Sequence, residues 1–280
     1  MAIFSMSLTP HAKINLHLEV GKKRDDGFHE ISSLMQEISI SDEMVVRITD
    51  SNEFNLRVLG AELGEENTLK QAYQVFQKIT GIQRGIDISL LKRIPIGAGL
   101  GGASSDAASL ILAMNELFET RLEHEILSNI ALEVGSDVPF FLTGGSALVS
   151  GRGEKVKQKK LETSYVGILV YPGFVSFTKE AYEMFDARGE MNSNRMLDIE
   201  TSHLFETTFF NHFETPLFLR YPELKEIKEA FLNFSCDFSL MTGTGSGVYA
   251  LFRSWEGAKI AWDYVSKKWN NCTFFIPIEK

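Results

Sequence analysis

The chain has 280 residues, 44% hydrophobic and 23% charged, a composition that suits one large globular domain or two modest ones. Its 28 basic residues against 37 acidic ones leave a formal charge of -9. That argues against a general nucleic-acid binder, but it leaves room for a local pocket that takes a small anion.

Residues 13–20 alternate, with Ile14, Leu16, Leu18 and Val20 on one face, and predict a half-buried strand. Residues 44–48 and 54–59 read as two more strands, separated by the turn formers Asp50, Ser51 and Asn52. Residues 67–80 place Leu69, Ala72, Tyr73, Val75, Phe76 and Ile79 at helical spacing, and Gly81 stops the helix. Ile86, Ile88 and Leu90 make a further alternating strand that runs into Pro95. A glycine-rich turn follows, then a long helix with Ala107, Leu110, Ile111, Met114, Leu117 and Phe118 on its apolar side. A second helix is expected over 123–134, ending at Gly135, and a strand over 147–149.

The charged stretch 151–160 contains no core-forming run and is the expected boundary, dividing the chain into residues 1–158 and 159–280. Beyond it come a buried strand at 166–171, helices at 179–185 and 222–234, and strands at 238–241 and 248–252 around a second glycine turn. A helix at 255–268 and a strand at 273–278 close the chain. This mixed order, with few βαβ repeats, predicts an α+β protein rather than a doubly wound sheet. Cys236 and Cys272 form no CxxC motif and read as reduced, buried thiols. The longest apolar stretch, about 165–171, is far shorter than the roughly 20 residues of a membrane span. The N-terminus lacks a basic segment followed by an apolar core, so the expectation is a cytoplasmic protein with no membrane partner.

The sharpest local signal is Pro95-Ile96-Gly97-Ala98-Gly99-Leu100-Gly101-Gly102-Ala103-Ser104-Ser105-Asp106. Such glycine density lets a backbone approach a ligand closely and adopt positive φ. The helix that begins at the serines offers free amides, a ready site for phosphate. Gly97, Gly99 and Gly102 match the dinucleotide pattern G-x-G-x-x-G, but the strand and acidic residue that should follow are missing, since residues 119–125 still read as helix or connection. No Gly-Lys-Ser/Thr follows for a Walker loop, and no HRD or DFG partner for a protein kinase.

The loop resembles the central motif of the GHMP kinases (galactokinase, homoserine kinase, mevalonate kinase, phosphomevalonate kinase). Three other segments resemble that family in the expected order. They are Ala12-Lys13-Ile14-Asn15-Leu16 with Asp26-Gly27-Phe28-His29-Glu30, then Gly135-Ser136-Asp137-Val138-Pro139-Phe140-Phe141, then Met241-Thr242-Gly243-Thr244-Gly245-Ser246-Gly247. The Gly27-Phe28-His29-Glu30 segment matches the branch that phosphorylates a cytidine diphosphate sugar alcohol, and sister branches lack it. The resemblance implies a two-domain fold, with an N-terminal domain like ribosomal protein S5 domain 2 and a ferredoxin-like C-terminal domain, acting as a monomer or homodimer on a small molecule. It implies ATP and Mg2+, with the phosphates on residues 95–105.

Ser104 and Ser105 carry the hydroxyls nearest the phosphates, and Ser105 is the expected metal contact. Asp137 is the implied base for the substrate hydroxyl. Lys13 is its implied partner, holding the carboxylate ionised and offsetting charge in the transition state. Asn15, Phe28 and His29 are implied substrate contacts, with Tyr182 as a second aromatic wall for the base. His29 and Tyr182 also suit purely structural roles. Departures from the family pattern are His11 for a proline, Phe28 for a tyrosine, Asn211-His212-Phe213-Glu214 for Asn-Asp-Phe-Glu, and threonines at 242 and 244. Two alternatives stand beside this one: a GHMP kinase for another small alcohol, and a nucleotide-binding protein of this fold without catalysis.

Overall fold

The computed structural model describes residues 4–161, 164–189, 204–206 and 209–280. In chain order the elements are β1 (Ser5–Leu8), β2 (His11–Lys23), β3 (His29–Ser41), β4 (Glu43–Thr49), β5 (Phe54–Leu59), α1 (Thr68–Thr80), β6 (Gly85–Leu91), α2 (Gly102–Leu117), α3 (His124–Val134) and α4 (Val138–Thr143). They continue as β7 (Ser146–Gly151), β8 (Lys155–Gln158), β9 (Val166–Val170), α5 (Thr178–Ala187), α6 (Glu214–Arg220), α7 (Pro222–Asn233), β10 (Phe238–Met241), β11 (Val248–Phe252), α8 (Trp255–Lys268) and β12 (Cys272–Phe275).

The chain divides into two compact units that interleave along the sequence. The first holds Met1–Ala12, Ile40–Ile94 and Gly101–Gly144, and the second Lys13–Ser39, Pro95–Leu100 and Gly145–Lys280. The expected division at residue 158 follows chain order, whereas the units exchange segments.

In the first unit, strands in the order β1-β4-β6-β5 form one sheet, antiparallel except for the β5–β6 pair. That parallel pair is joined through α1, as a parallel connection requires. The helix follows its sequence signals. Asn67 accepts from the Lys70 amide at its start, and Gly81 ends it at φ 73°. Leu69, Ala72, Tyr73 and Phe76 form its buried face. Phe76 is fully buried, so its truncation to alanine would cost about 3–5 kcal/mol.

The second unit carries two sheets, β2-β3-β7-β8 and β10-β11-β9-β12. Its core joins Leu18 and Val20 of β2 to Ile168, Val170, Val248 and Ala250, under Phe213, Ile227, Phe231 and Val265. Residues 151–160, expected as the domain boundary, contain β8, which pairs with β7 as Val149↔Val156. Its lysines at 155 and 157 are exposed, which suits an edge strand and explains why the stretch lacks a core-forming run. The final segment pairs in two places: Cys272–Phe275 lies along β9, and Pro277 bridges to Ile38 of β3. Cys236 and Cys272 are free and half-buried, and burial pushes both thiols up to about 11.

Candidate active site

Within the second unit, residues 95–100 lie against the glycine-rich segment 242–247. Gly97 and Gly99 take φ values of 69° and 74°, the left-handed backbone that glycine adopts at least cost. A methyl group on Gly99 would stand 2.1 Å from the Thr242 carbonyl oxygen. From the other side, a methyl on Gly247 would meet the Ala98 oxygen at 2.7 Å. Both segments are therefore glycine-rich because their backbones touch. The Gly247 amide donates to Ala98 O at 3.1 Å, and the Ser246 amide to Gly97 O at 3.2 Å. Thr242 Oγ1 donates to Gly99 O at 3.1 Å.

Lys13 comes to this junction from β2. Its amide donates to Leu100 O at 2.9 Å, and a methyl on Gly243 would fall 3.4 Å from its Nζ. Nζ itself donates to Asn15 Oδ1 at 2.6 Å. Asn15 was expected at the substrate, and it lies inside the protein. Its Nδ2 donates to Ser33 Oγ at 2.8 Å, its amide donates to Thr242 Oγ1 at 3.2 Å, and its carbonyl accepts from Tyr249 at 2.9 Å. Only 1% of Asn15 is exposed, so its visible task is to orient Lys13.

The Asn211-His212-Phe213-Glu214 segment braces the same junction. Asn211 Nδ2 donates to the carbonyls of Met241 and Gly243, each at 2.7 Å. Glu214 accepts from the Met241 amide at 2.9 Å and from Lys228 at 2.6 Å. Burial pushes the Glu214 carboxyl up, and Lys228 and the amide pull against it. Sequence reasoning registered this segment only as a departure from the family pattern. Its Asn and Glu were nevertheless in place, and the brace uses those two residues.

The implied base-reading residues comprise the buried His29, the half-buried Tyr182 and the exposed ring of Phe28. His29 is 7% exposed and stacks on Tyr182, with centroids 4.9 Å apart and planes at 26°. Its Nε2 is 2.8 Å from Asp186 Oδ1, a partner that sequence reasoning missed. Phe28 is 46% exposed, and the Arg152 guanidinium lies 4.9 Å from its ring centroid. The β3 strand begins at His29, and this is where the chain leaves the hairpin tip for the sheet.

In the first unit, α2 begins after Gly101, which takes φ 69°, and no side chain caps it. Its leading amides therefore have no intrahelical acceptor and can receive one from outside. Ser104 is half-buried and Ser105 buried, with the Ser105 amide bonded to Gly101 O at 2.9 Å. Asp137 immediately precedes α4 and is half-buried, and its side chain does not cap that helix. Beneath the start of α2, Lys92 pairs with Asp42 and Asp106, three buried charges that sequence reasoning missed. Burial raises the Asp106 carboxyl to about 7 although Lys92 pulls it down. Among the described residues no group of three or more His, Cys, Asp or Glu is placed to hold a metal ion, and no helix is long and apolar enough to cross a membrane.

Comparison with known proteins agrees with these features. The family model of the GHMP kinase N-terminal domain matches residues 67–145, and that of the GHMP kinase C-terminal domain matches 196–271. A 4-diphosphocytidyl-2-C-methyl-D-erythritol kinase of Treponema pallidum is 37% identical, over 96% of this chain and 97% of its own. A protein of the same name from Thermotoga maritima is 41% identical, over 89% of this chain and 92% of its own. A crystal structure of 4-(cytidine 5'-diphospho)-2C-methyl-D-erythritol kinase superimposes with a TM-score of 0.83 at 30% identity, covering 98% of this chain and 100% of that one. Homoserine kinase from Cytophaga hutchinsonii shares the fold, with a TM-score of 0.77 at 18% identity, covering 100% of this chain and 96% of that one.

Proposed function

The chain belongs to the GHMP kinase family, and from that premise we propose that it transfers the terminal phosphoryl group of ATP to the 2-hydroxyl of 4-diphosphocytidyl-2-C-methyl-D-erythritol, in non-mevalonate isoprenoid precursor synthesis. The observation that carries the reading is the Lys13 ammonium held by Asn15 where two glycine segments meet backbone to backbone. A lysine held beside the phosphate loop is what a transferring phosphoryl group needs, because negative charge develops on its oxygens.

ATP supplies the phosphoryl group. Its phosphates are assigned to the loop 95–105, where the uncapped start of α2 presents amides. Magnesium, arriving with the nucleotide, would offset the charge of its phosphates. The Ser105 hydroxyl is its proposed protein contact, with Ser104 as the neighbouring hydroxyl. Asp137 accepts the proton of the substrate hydroxyl. The Lys13 ammonium offsets negative charge on the transferred group. His29, Tyr182 and Phe28 read the cytosine through ring faces and edge hydrogen bonds. We assign the protein to the cytoplasm, as a monomer or homodimer.

The test is ADP release coupled to product mass, with ATP, magnesium and the cytidine substrate, for wild type and Asp137→Ala. The expected result is one phosphate added by wild type, and a rate about 100- to 10,000-fold lower in the variant. Turnover that survives in the variant would discard Asp137 as the base. ATP binding without turnover would redirect the assignment to another acceptor or to a non-catalytic nucleotide binder.

A further inference from the structure

The buried cluster of Lys92, Asp42 and Asp106 has no part in the chemistry above, and its position is specific. Lys92 follows the last residue of β6, and Asp106 is the fifth residue of α2. The chain between them is the glycine loop. Lys92 Nζ donates to Asp42 Oδ2 at 2.5 Å and to Asp106 Oδ2 at 2.8 Å. Asp42 Oδ1 accepts from the amides of Arg93 at 2.5 Å and Ile94 at 2.9 Å, the last two residues before Pro95. One cluster thus ties down the chain entering the loop and the helix leaving it.

The arrangement is costly for a purely structural brace. The three side chains are almost entirely withdrawn from water, and apolar residues of similar volume often hold such a position as well or better. The ammonium also lies close to the start of α2. A methyl on Gly102, the first residue of α2, would fall 3.3 Å from Lys92 Nζ. The two carboxylates bonded to that ammonium neutralise it, so the cluster acts on the leading amides through position and not through net charge.

We propose that Lys92, clamped by Asp42 and Asp106, is a positioning residue for the nucleotide phosphates: the cluster fixes both ends of the glycine loop. The proposal rests on the reading that this loop receives ATP.

The test begins with ATP binding to the wild-type protein by calorimetry. No binding would overturn the functional reading, and this proposal with it, before any variant is compared. Lys92→Met alone would strand two buried carboxylates, so it is paired with Asp106→Asn, and Asp106→Asn is also made singly to keep Lys92 on Asp42. Thermal melting, ATP affinity, and separate KM values for ATP and the cytidine substrate are then measured. The expected result is a near-normal melting temperature with ATP affinity and KM for ATP weakened about tenfold, and KM for the cytidine substrate within about twofold of wild type. A melting temperature near wild type with unchanged ATP affinity would overturn the proposal. So would an equal rise in both KM values, or unfolding of both variants, since each would mark the cluster as a general brace.

Discussion

Lys13 and Asn15, two positions apart on β2, share a 2.6 Å hydrogen bond between their side chains inside the protein. Alternation along a strand puts residues i and i+2 on one face, so the spacing of the pair in the sequence is what lets them meet. Asn15 fixes the ammonium by its oxygen while Ser33 and Thr242 fix Asn15.

Replacing Asn15 with leucine keeps the volume of the side chain and removes the acceptor. We expect kcat to fall roughly tenfold to a hundredfold while KM for ATP changes little, because the loss is one of orientation. Steady-state kinetics with each substrate varied in turn would check this. An unchanged kcat would mean that Lys13 needs no such holder.

Gly99→Ala places a methyl group 2.1 Å from the Thr242 carbonyl oxygen, at a φ of 74° that alanine adopts only with strain. The two glycine segments must separate to admit it, at a cost of about 1–3 kcal/mol. Gly64→Ala is the control, since a methyl there comes no closer than 3.8 Å to the Glu66 oxygen. Denaturant midpoints should drop for the first variant and stay level or rise slightly for the second.

Tyr182 stacks on His29 and packs edge-on against Phe213. Under the proposed assignment, Tyr182→Ala removes a stacking wall worth about 1–3 kcal/mol, a five- to hundredfold rise in KM for the cytidine substrate. KM for ATP should hold steady. Equal loss toward both substrates would instead assign Tyr182 to the core.

His17 supplies a pH dependence of stability. Burial lowers its pKa from 6.5 to about 3, and the neighbouring His212 adds to the fall. Its Nε2 stands 3.8 Å from the Glu19 carboxylate, too far for a hydrogen bond that would favour the imidazolium. Between these two values the unfolded chain binds a proton that the folded one refuses. Stability from this residue is therefore complete above about pH 6.5 and falls as pH drops toward 3, by about 1.4 kcal/mol per pH unit. Urea unfolding at several pH values should give a shallower acid limb for His17→Gln than for wild type.

The sequence alone determined a good deal of this protein. Periodicity located α1 and α2, and Asn67 and Gly81 cap α1 where a hydrogen-bonding side chain and a left-handed residue were to be expected. Alternation located β4 and β6, since each buries one face more than the other, whereas β2, expected half-buried, is buried on both faces because Lys13, Asn15, His17 and Glu19 also lie inside. The glycine loop stood out by its glycine density before a helix, the order of four motifs pointed to the family, and Lys13 and Asp137 followed only from that resemblance.

Other elements left no local trace. β3 is buried along most of its length with Ser33, Gln36 and Glu37 inside, so it lacks the alternation of a half-exposed strand. Its buried polar groups are satisfied by distant chain, with Gln36 donating to Ile278 O and Glu37 accepting from the Gly145 amide. The six-residue α4 is too short for a period to register. Only the tertiary structure decided why residues 97–99 and 242–247 must both be glycine-rich, since each explains the other across more than a hundred residues of chain. It alone turned Asn15 inward to Lys13, made Asn211 and Glu214 a brace, and buried Lys92 between two carboxylates. Lys13 and Asn15 apart, these partners lie well separated in sequence, and a hydrogen bond or ion pair across such a span imposes no pattern on the residues beside it.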